Sequence, residues 1–364
     1  MKRIAYFISP HGFGHAARAA AVMQAIGDLD DSVGFEVFTT VPSWFFQDSL
    51  SAPFNCHELL TDIGLVQISA FQADLNQTLC SLNDFLPFAA SSISGVAATV
   101  SALQCELVIC DISPLGIAIA RDAGIPSLLV ENFTWDWIYE PYARTDERFR
   151  RHIDCLHSIY QSVDYHIQTE PVCGGNSADL TTPPVSRKST TPGRRVRSQL
   201  GIPDHARLVL VTTGGINQSY GFMHELQKVP DVYFVLPGAG PKMQIRQNCV
   251  ILPHRSDFYH PDLVNACDAV VGKVGYSTLA EVFQAGVPFG YVTRSDFRES
   301  APMARFVENE MSGFQLAESD FCSGRWISNL PNLIELGRVK QQSPNGAEAI
   351  GQFILDRILE ENAI

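Results

Sequence analysis

Two histidines stand in a glycine-rich loop near the start of the chain, His11-Gly12-Phe13-Gly14-His15-Ala16-Ala17. Imidazole is the side chain best suited to take a proton from a hydroxyl at neutral pH. Gly12 and Gly14 let backbone N–H groups come close to a phosphate where a helix begins. The loop formally contains the G-x-G-x-x-A pattern of dinucleotide sites. The next strand ends in Phe38-Thr39-Thr40, with no acid to hold a ribose, which argues against NAD. The plain alternative is a tight turn with one exposed histidine.

A stronger signal is Gly272-Lys273-Val274-Gly275-Tyr276-Ser277-Thr278-Leu279-Ala280-Glu281. A strand runs into a loop of small residues, and a helix starts near Ser277. Free N–H groups at that start, the two hydroxyls and the helix dipole suit a diphosphate, with Lys273 adding charge. Glu281 lies one turn on, on the face of Ser277 and Thr278, where a carboxylate accepts ribose hydroxyls. The alternative is a capping box, with Thr278 as N-cap and Glu281 at the third helical position.

Gly214-Gly215 follows another strand and offers a backbone anion nest, or an ordinary turn. Asp296-Phe297-Arg298-Glu299 places acids after a strand, where they hold sugar hydroxyls or face solvent. Trp135-Asp136-Trp137 is an aromatic pair on a loop, suited to sugar rings or to core packing. Asp28-Leu29-Asp30-Asp31 has D-x-D spacing but follows a helix, on the wrong edge of a sheet for a catalytic metal. No metal site and no cofactor are expected.

The elements that must position these groups alternate. Strands are expected at Ile4 to Ser9, Phe35 to Thr40, Leu107 to Asp111 and Ser127 to Glu131. Helices are expected at Ala16 to Leu29, Leu86 to Leu103 and Leu115 to Ala123. The pattern stops near Glu170 and restarts with strands at Leu208 to Thr212, Val232 to Leu236, Val250 to Leu252, Ala269 to Gly272 and Phe289 to Val292. Alternation of this kind predicts parallel sheets with helices on both faces. The expected division is residues 1–170, a Pro/Ser/Thr-rich linker 171–197, residues 198–345, and a C-terminal amphipathic helix in 346–364. In open α/β sheets, ligands bind at the carboxyl ends of the strands. Two such domains are therefore expected to face a central cleft.

Composition sets the outer limits. The chain has 364 residues, 46% hydrophobic and 18% charged, enough for two cored domains at roughly 150 residues each. A net charge of -13 argues against nucleic acid or an anionic membrane as the partner. The nine cysteines are scattered and include no C-x-x-C pair, so neither a disulfide framework nor a zinc site is expected, and the reading is a reduced, cytoplasmic protein. No apolar run is long enough to span a bilayer.

The two halves resemble the domains of GT-B glycosyltransferases, in particular the group of the bacterial N-acetylglucosaminyltransferase that makes the lipid-linked peptidoglycan precursor. The loop ending in His15, Gly214-Gly215 and the segment Gly272 to Val292 carry that resemblance. Nearly the whole chain is most similar to the N-terminal glycosyltransferase-like domain of plant L-arabinokinases. There the carriers are His11 to Arg18, Asn132 to Tyr142, GKVGYST with Glu281, and Arg294 to Pro302.

The resemblance implies a nucleoside-diphosphate sugar, UDP-sugar favoured, held by the C-terminal domain, and an acceptor of unknown identity on the side of Gly12, Gly14, Trp135 and Asp136. It implies Glu281 on the donor ribose, and Gly214, Gly215, Ser277 and Thr278 around the diphosphate, where the loop itself also places Gly275 and Lys273. Glu299 is implied near the sugar, His15 as base and Asp111 as its orienting acid. A plain alternative makes Asp111 a helix N-cap. The expected activity is inverting, metal-independent glycosyl transfer. A non-catalytic nucleotide-sugar-binding or regulatory module and a nucleotide-sugar epimerase are the competing readings.

Overall fold

The computed structural model describes residues 2–175, 177–214 and 220–359. They divide into two compact units. Unit 1 comprises residues 1–68, 73–186 and 344–364; unit 2 comprises residues 69–72 and 187–343.

Unit 1 is built on strands β1 (Lys2–Ile8), β2 (Val33–Thr39), β3 (Phe54–Glu58), β4 (Leu107–Asp111), β5 (Ser127–Glu131), β6 (Tyr165–Thr169) and β7 (Leu180–Thr182). They form one parallel sheet in the order β3-β2-β1-β4-β5-β6-β7. All residues of β2, β4 and β5 are buried, as expected of central strands covered by helices on both faces. The strand order reverses between β1 and β4, whose register sets Ile8 beside Asp111. That reversal opens the crevice in which a doubly wound sheet binds its ligand.

Unit 2 contains β8 (Arg207–Thr212), β9 (Val232–Leu236), β10 (Gln244–Arg246), β11 (Cys249–Ile251), β12 (Ala269–Lys273), β13 (Phe289–Val292) and β14 (Gly313–Gln315). Their order is β10-β11-β9-β8-β12-β13-β14, and only the β10–β11 pair is antiparallel. Here the reversal lies between β8 and β12. Gly272 is required at that junction, because a Cβ there would stand 1.9 Å from the Thr212 carbonyl oxygen.

One expected helix starts late: instead of 86–103 it spans Ala90–Ala102, and a separate helix that was not expected, Leu75–Phe85, precedes it. Pro87 has no N–H to donate and pushes the residue before it to extended backbone, and Leu86 is indeed extended. Within 171–197 lie β7 and the first turn of a helix, Gly193–Gln199. The C-terminal helix Gly346–Phe353 widens into a π-turn at Ile354–Leu359 and belongs to unit 1. Asn345 caps it and also bonds both backbone groups of Ser186. At Gly351 the helix packs against the backbone of Ala25 and Ile26 in the helix Gly14–Leu29. No single helix among the described residues is long and apolar enough to cross a membrane.

Candidate functional site

The switch point of the first sheet brings His15 and Asp111 together. His15 is the second residue of the helix Gly14–Leu29 that follows β1, and Asp111 ends β4. His15 Nδ1 lies 2.8 Å from Asp111 Oδ1. An ionised carboxylate only accepts, so this contact fixes the proton on Nδ1 and leaves Nε2 as the basic nitrogen. The helix Pro114–Ala123 is capped by Ser113, not by Asp111.

Arg18, one turn along the helix from His15, holds the same acid. Its Nε donates to Asp111 Oδ2 at 2.8 Å and its Nη2 to Oδ1 at 2.6 Å. Nη1 donates to Asn132 Oδ1 at 2.7 Å. Arg18 is 1% exposed and Asp111 is fully buried. Burial pushes the Asp111 carboxyl up, but the charge and hydrogen bonds of Arg18, with His15, more than reverse this and hold it below the usual carboxylate value. Sequence reasoning passed over Arg18. The signal was available: an arginine inside the alanine run 16–21, three residues after His15, has to find a counter-ion.

Gly12 lies in the loop with φ +74°, and Gly14 opens the helix, whose N-terminus has no side-chain cap. Trp135 does not offer an open face to a sugar. It is 1% exposed, stacked on Tyr139 and edge-on to Phe133 and His11. Its Nε1 donates to Asp62 Oδ2 at 3.1 Å. Asp136 takes a hydrogen bond on Oδ2 from His157 Nδ1 at 3.0 Å, and its Oδ1 is buried without a partner.

In unit 2 the switch point gathers Gly214, Lys273 and Glu299. Gly214 follows β8 with φ +73°, a conformation that favours glycine, and a Cβ there would lie 3.8 Å from Lys273 Nζ. Lys273 ends β12 and is buried. Burial, with repulsion from Arg294, pushes its amine down to about 7, while Glu299 acts in the opposite sense. Arg294 was not expected from the sequence; its guanidinium lies over the Phe297 ring, 3.6 Å from the centroid. Gly215 lies outside the described residues.

The helix Tyr276–Ala285 begins directly after Gly275, which is extended, and has no side-chain cap. Its first N–H groups therefore have no partner from an N-cap side chain. Ser277 is half-buried in this first turn and Thr278 buried. Because the helix starts at Tyr276, Thr278 is its third residue and the capping box with Glu281 does not form.

Glu281 is instead an ion-pair centre. Its Oε1 accepts from Arg187 Nε at 3.1 Å and Nη2 at 2.9 Å, and its Oε2 lies 2.6 Å from His260 Nδ1. Burial raises this carboxyl, and Arg187 and His260 bring it below its ordinary value. The carboxylate borders a cavity of about 330 Å³ of mixed polar and apolar lining, to which Arg187, Ser189, Asn265, Gln284, Pro192 and Pro261 contribute. Asp262 fixes the same edge by accepting from the backbone N–H groups of Thr190 and Thr191. Among the described residues, no group of three or more potential ligands is placed to hold a metal ion.

No family model matches the chain. It is 28% identical to L-arabinokinase of Arabidopsis thaliana over 369 residues, covering 99% of this chain and 34% of that protein. The chain thus spans about a third of the length of that relative. Among solved structures, MurG of Acinetobacter baumannii superposes with a TM-score of 0.55 at 14% identity, over 98% of this chain and 99% of that one. UGT2 of Phytolacca americana, solved with UDP-2-fluoro-glucose and pterostilbene, gives a TM-score of 0.57 at 12% identity, over 98% and 90%. These likenesses define the fold as GT-B: two Rossmann-like units, each with a parallel-dominated sheet. MurG is no nearer than UGT2, so the expected peptidoglycan-precursor group is not singled out.

Proposed function

We propose that the protein is an enzyme, an inverting, metal-independent glycosyltransferase that moves a sugar from a nucleoside-diphosphate sugar to an acceptor hydroxyl. The observation that carries this reading is that each sheet's switch point is loaded with a different half of the chemistry. The first holds an imidazole whose tautomer is fixed by a carboxylate. The second holds a buried ammonium beside a glycine turn and an uncapped helix N-terminus. His15 Nε2 takes the acceptor proton as the acceptor oxygen bonds to the anomeric carbon. The bond from that carbon to the phosphate oxygen breaks, and the electron pair leaves with the nucleoside diphosphate. Lys273, Arg294 and the N–H groups from Tyr276 onward stabilise the leaving charge, the part a metal plays elsewhere. A single displacement inverts the anomeric centre. Glu281 holds the ribose and Glu299 the sugar. UDP is the favoured nucleotide, supported by the UDP-sugar analogue bound to UGT2.

The direct test is a panel of UDP-, dTDP- and GDP-sugars, read for nucleotide binding, donor hydrolysis and sugar transfer. Binding with release of nucleoside diphosphate is the expected result. Tight binding without turnover selects the regulatory module, and a changed sugar still attached to its nucleotide selects the epimerase. Activity is expected to persist in EDTA; complete loss, restored by Mg²⁺ or Mn²⁺, rejects the metal-free mechanism.

The Lys273 amine gives a pH prediction. A protonated amine binds phosphate and a neutral one does not, so affinity for UDP is expected to fall as pH rises through and above about 7. The fall is worth one charged hydrogen bond, about 1.5–3 kcal/mol, or roughly 10- to 100-fold by pH 9. Calorimetric titration of wild type against Lys273→Met checks it. Equal pH dependence in the two proteins removes Lys273 from the phosphate site.

A further inference from the structure

The residue that follows Asp111 is strained. Four non-glycine residues among those described have left-handed backbone, and three of them, Gln104, Asp231 and Gln247, are exposed and polar. The fourth is Ile112, with φ +49° and no exposed surface. That conformation sets Cβ against the following carbonyl oxygen, and a β-branched side chain tolerates it least. Such strain persists only where the surroundings impose it. Ile112 forms an antiparallel bridge with Ile8, and the Ser9 N–H donates to the Asp111 carbonyl oxygen at 3.3 Å. Ser113 caps the next helix and donates to the Thr61 carbonyl oxygen at 3.2 Å. The Ile112 carbonyl oxygen itself accepts from the hydroxyl of Tyr160, at 2.8 Å. Tyr160 is the buried last residue of the helix Arg150–Tyr160.

We propose that Tyr160 is a positioning residue: its hydroxyl holds the strained turn at Ile112, and the turn aims the Asp111 carboxylate at His15. This role rests on the reading of His15 as the base. The left-handed step ends β4 at Asp111 and fixes the peptide plane behind its carboxylate. An extended residue 112 would carry the strand onward and release that plane. Every link is a contact: Tyr160 to the Ile112 carbonyl, Ile112 to Asp111 through the peptide bond, and Asp111 Oδ1 to His15 Nδ1 at 2.8 Å. Without the hydroxyl the buried carbonyl loses this donor, and relaxing the turn both relieves the strain and lets the carbonyl seek another.

Tyr160→Phe keeps the ring and removes the hydroxyl. Turnover is expected to fall by roughly 5- to 10-fold, the worth of one hydrogen bond, with UDP affinity unchanged. A readout without substrate is the His15 Nδ1–H proton, followed by NMR at neutral pH and assigned by its loss in His15→Gln. Its exchange with water is expected to quicken by about the same factor. Ile112→Gly supplies the control. Glycine takes the left-handed conformation freely, which offsets part of the packing lost with the side chain. In Tyr160→Phe/Ile112→Gly most of the lost turnover and of the lost protection is expected to return. A hydroxyl that only adds stability gives the opposite, because the second change then adds its own loss.

An unchanged Tyr160→Phe, or a double variant no better than the single, overturns the proposal. If the glycine variant does not fold, Tyr160→Phe decides by itself. The His15 proton is then expected to lose more protection than the backbone amides of β2, and equal loss is the overturning result. Exchange that quickens and is restored in a protein that transfers no sugar leaves the positioning role standing and refutes only the transferase reading.

Discussion

His15→Ala is expected to lower turnover about 10²- to 10⁴-fold, the usual worth of a general base, while affinity for the nucleoside diphosphate stays within twofold. The two readouts separate because the proposed base and the proposed phosphate cradle lie in different units, His15 in unit 1 and Lys273 in unit 2. The His15 side chain is 9% exposed and its Nδ1 is committed to Asp111, so Nε2 alone is left to meet an acceptor proton. Removing the imidazole leaves the carboxylate pair with Arg18 intact, so the variant is expected to fold normally. Steady-state kinetics at saturating donor, with calorimetric titration of UDP, decide the matter. Near-normal turnover, or lost nucleotide binding with unchanged turnover at saturation, assigns His15 to phosphate or to the turn instead. Asp111→Asn is a poorer test of the same idea. It takes the charge from Arg18 while the amide oxygen still accepts from His15, so orientation partly survives, the kinetic loss is smaller than in His15→Ala, and it is mixed with a loss of stability.

A parallel prediction for Glu281 separates ribose binding from ion pairing. Glu281→Gln keeps two polar atoms but takes the counter-charge from Arg187, whose side chain is only 8% exposed. If the carboxylate also holds ribose, UDP affinity is expected to fall by about 1.5–3 kcal/mol while UMP and uridine lose a similar amount. A stability loss with unchanged nucleoside affinity limits Glu281 to anchoring Arg187 and His260.

How much of this was legible in the sequence follows from burial. Strands buried on both faces were read closely: Leu107–Asp111, Ser127–Glu131, Val232–Leu236 and Phe289–Val292 are each built around a short apolar run, and each occupies the expected residues. Strands toward the sheet margins were missed. β3 reads Phe-Asn-Cys-His-Glu and is half exposed, and β10 is Gln-Ile-Arg, so neither shows an apolar run or a clear alternation. Candidate residues at strand ends could be placed because chain order and the switch-point rule bring those ends together. Side chains that reach them from elsewhere could not. Asp62 comes from an irregular segment after an unrecognised strand, and Arg187 comes from a Pro/Ser/Thr-rich stretch that reads as a linker. Their roles depend on contacts across 73 and 94 residues of sequence, which periodicity does not encode.

Arg18→Met is expected to cost about 3–5 kcal/mol of folding stability, the largest effect of any single change considered for unit 1. The substitution keeps most of the apolar stem and removes the charge. It leaves Asp111, fully buried, with the His15 Nδ1–H as a hydrogen-bond donor but without the guanidinium charge, and it takes a donor from Asn132. The penalty is the desolvation of an uncompensated charge, not the net worth of the pair, and this gives the prediction two internal checks. The double variant Arg18→Met/Asp111→Asn removes both charges and is expected to recover a large part of the loss. The pH dependence supplies the second check. In the wild type the Asp111 carboxyl is held below its unfolded value, so its contribution is complete above about pH 4 and is lost as pH falls through the folded value. Without Arg18 the opposing effect of burial is exposed and the carboxyl titrates higher. Acidification from pH 7 to 4.5 then protonates it and narrows the gap between variant and wild type. Urea denaturation of the three proteins at both pH values tests this. A single variant as stable as wild type, or a double variant no better than the single, shows that Arg18 does not balance Asp111. An imidazolium at His15 would then have to be doing so, and a ring already protonated on both nitrogens has no capacity to act as a base.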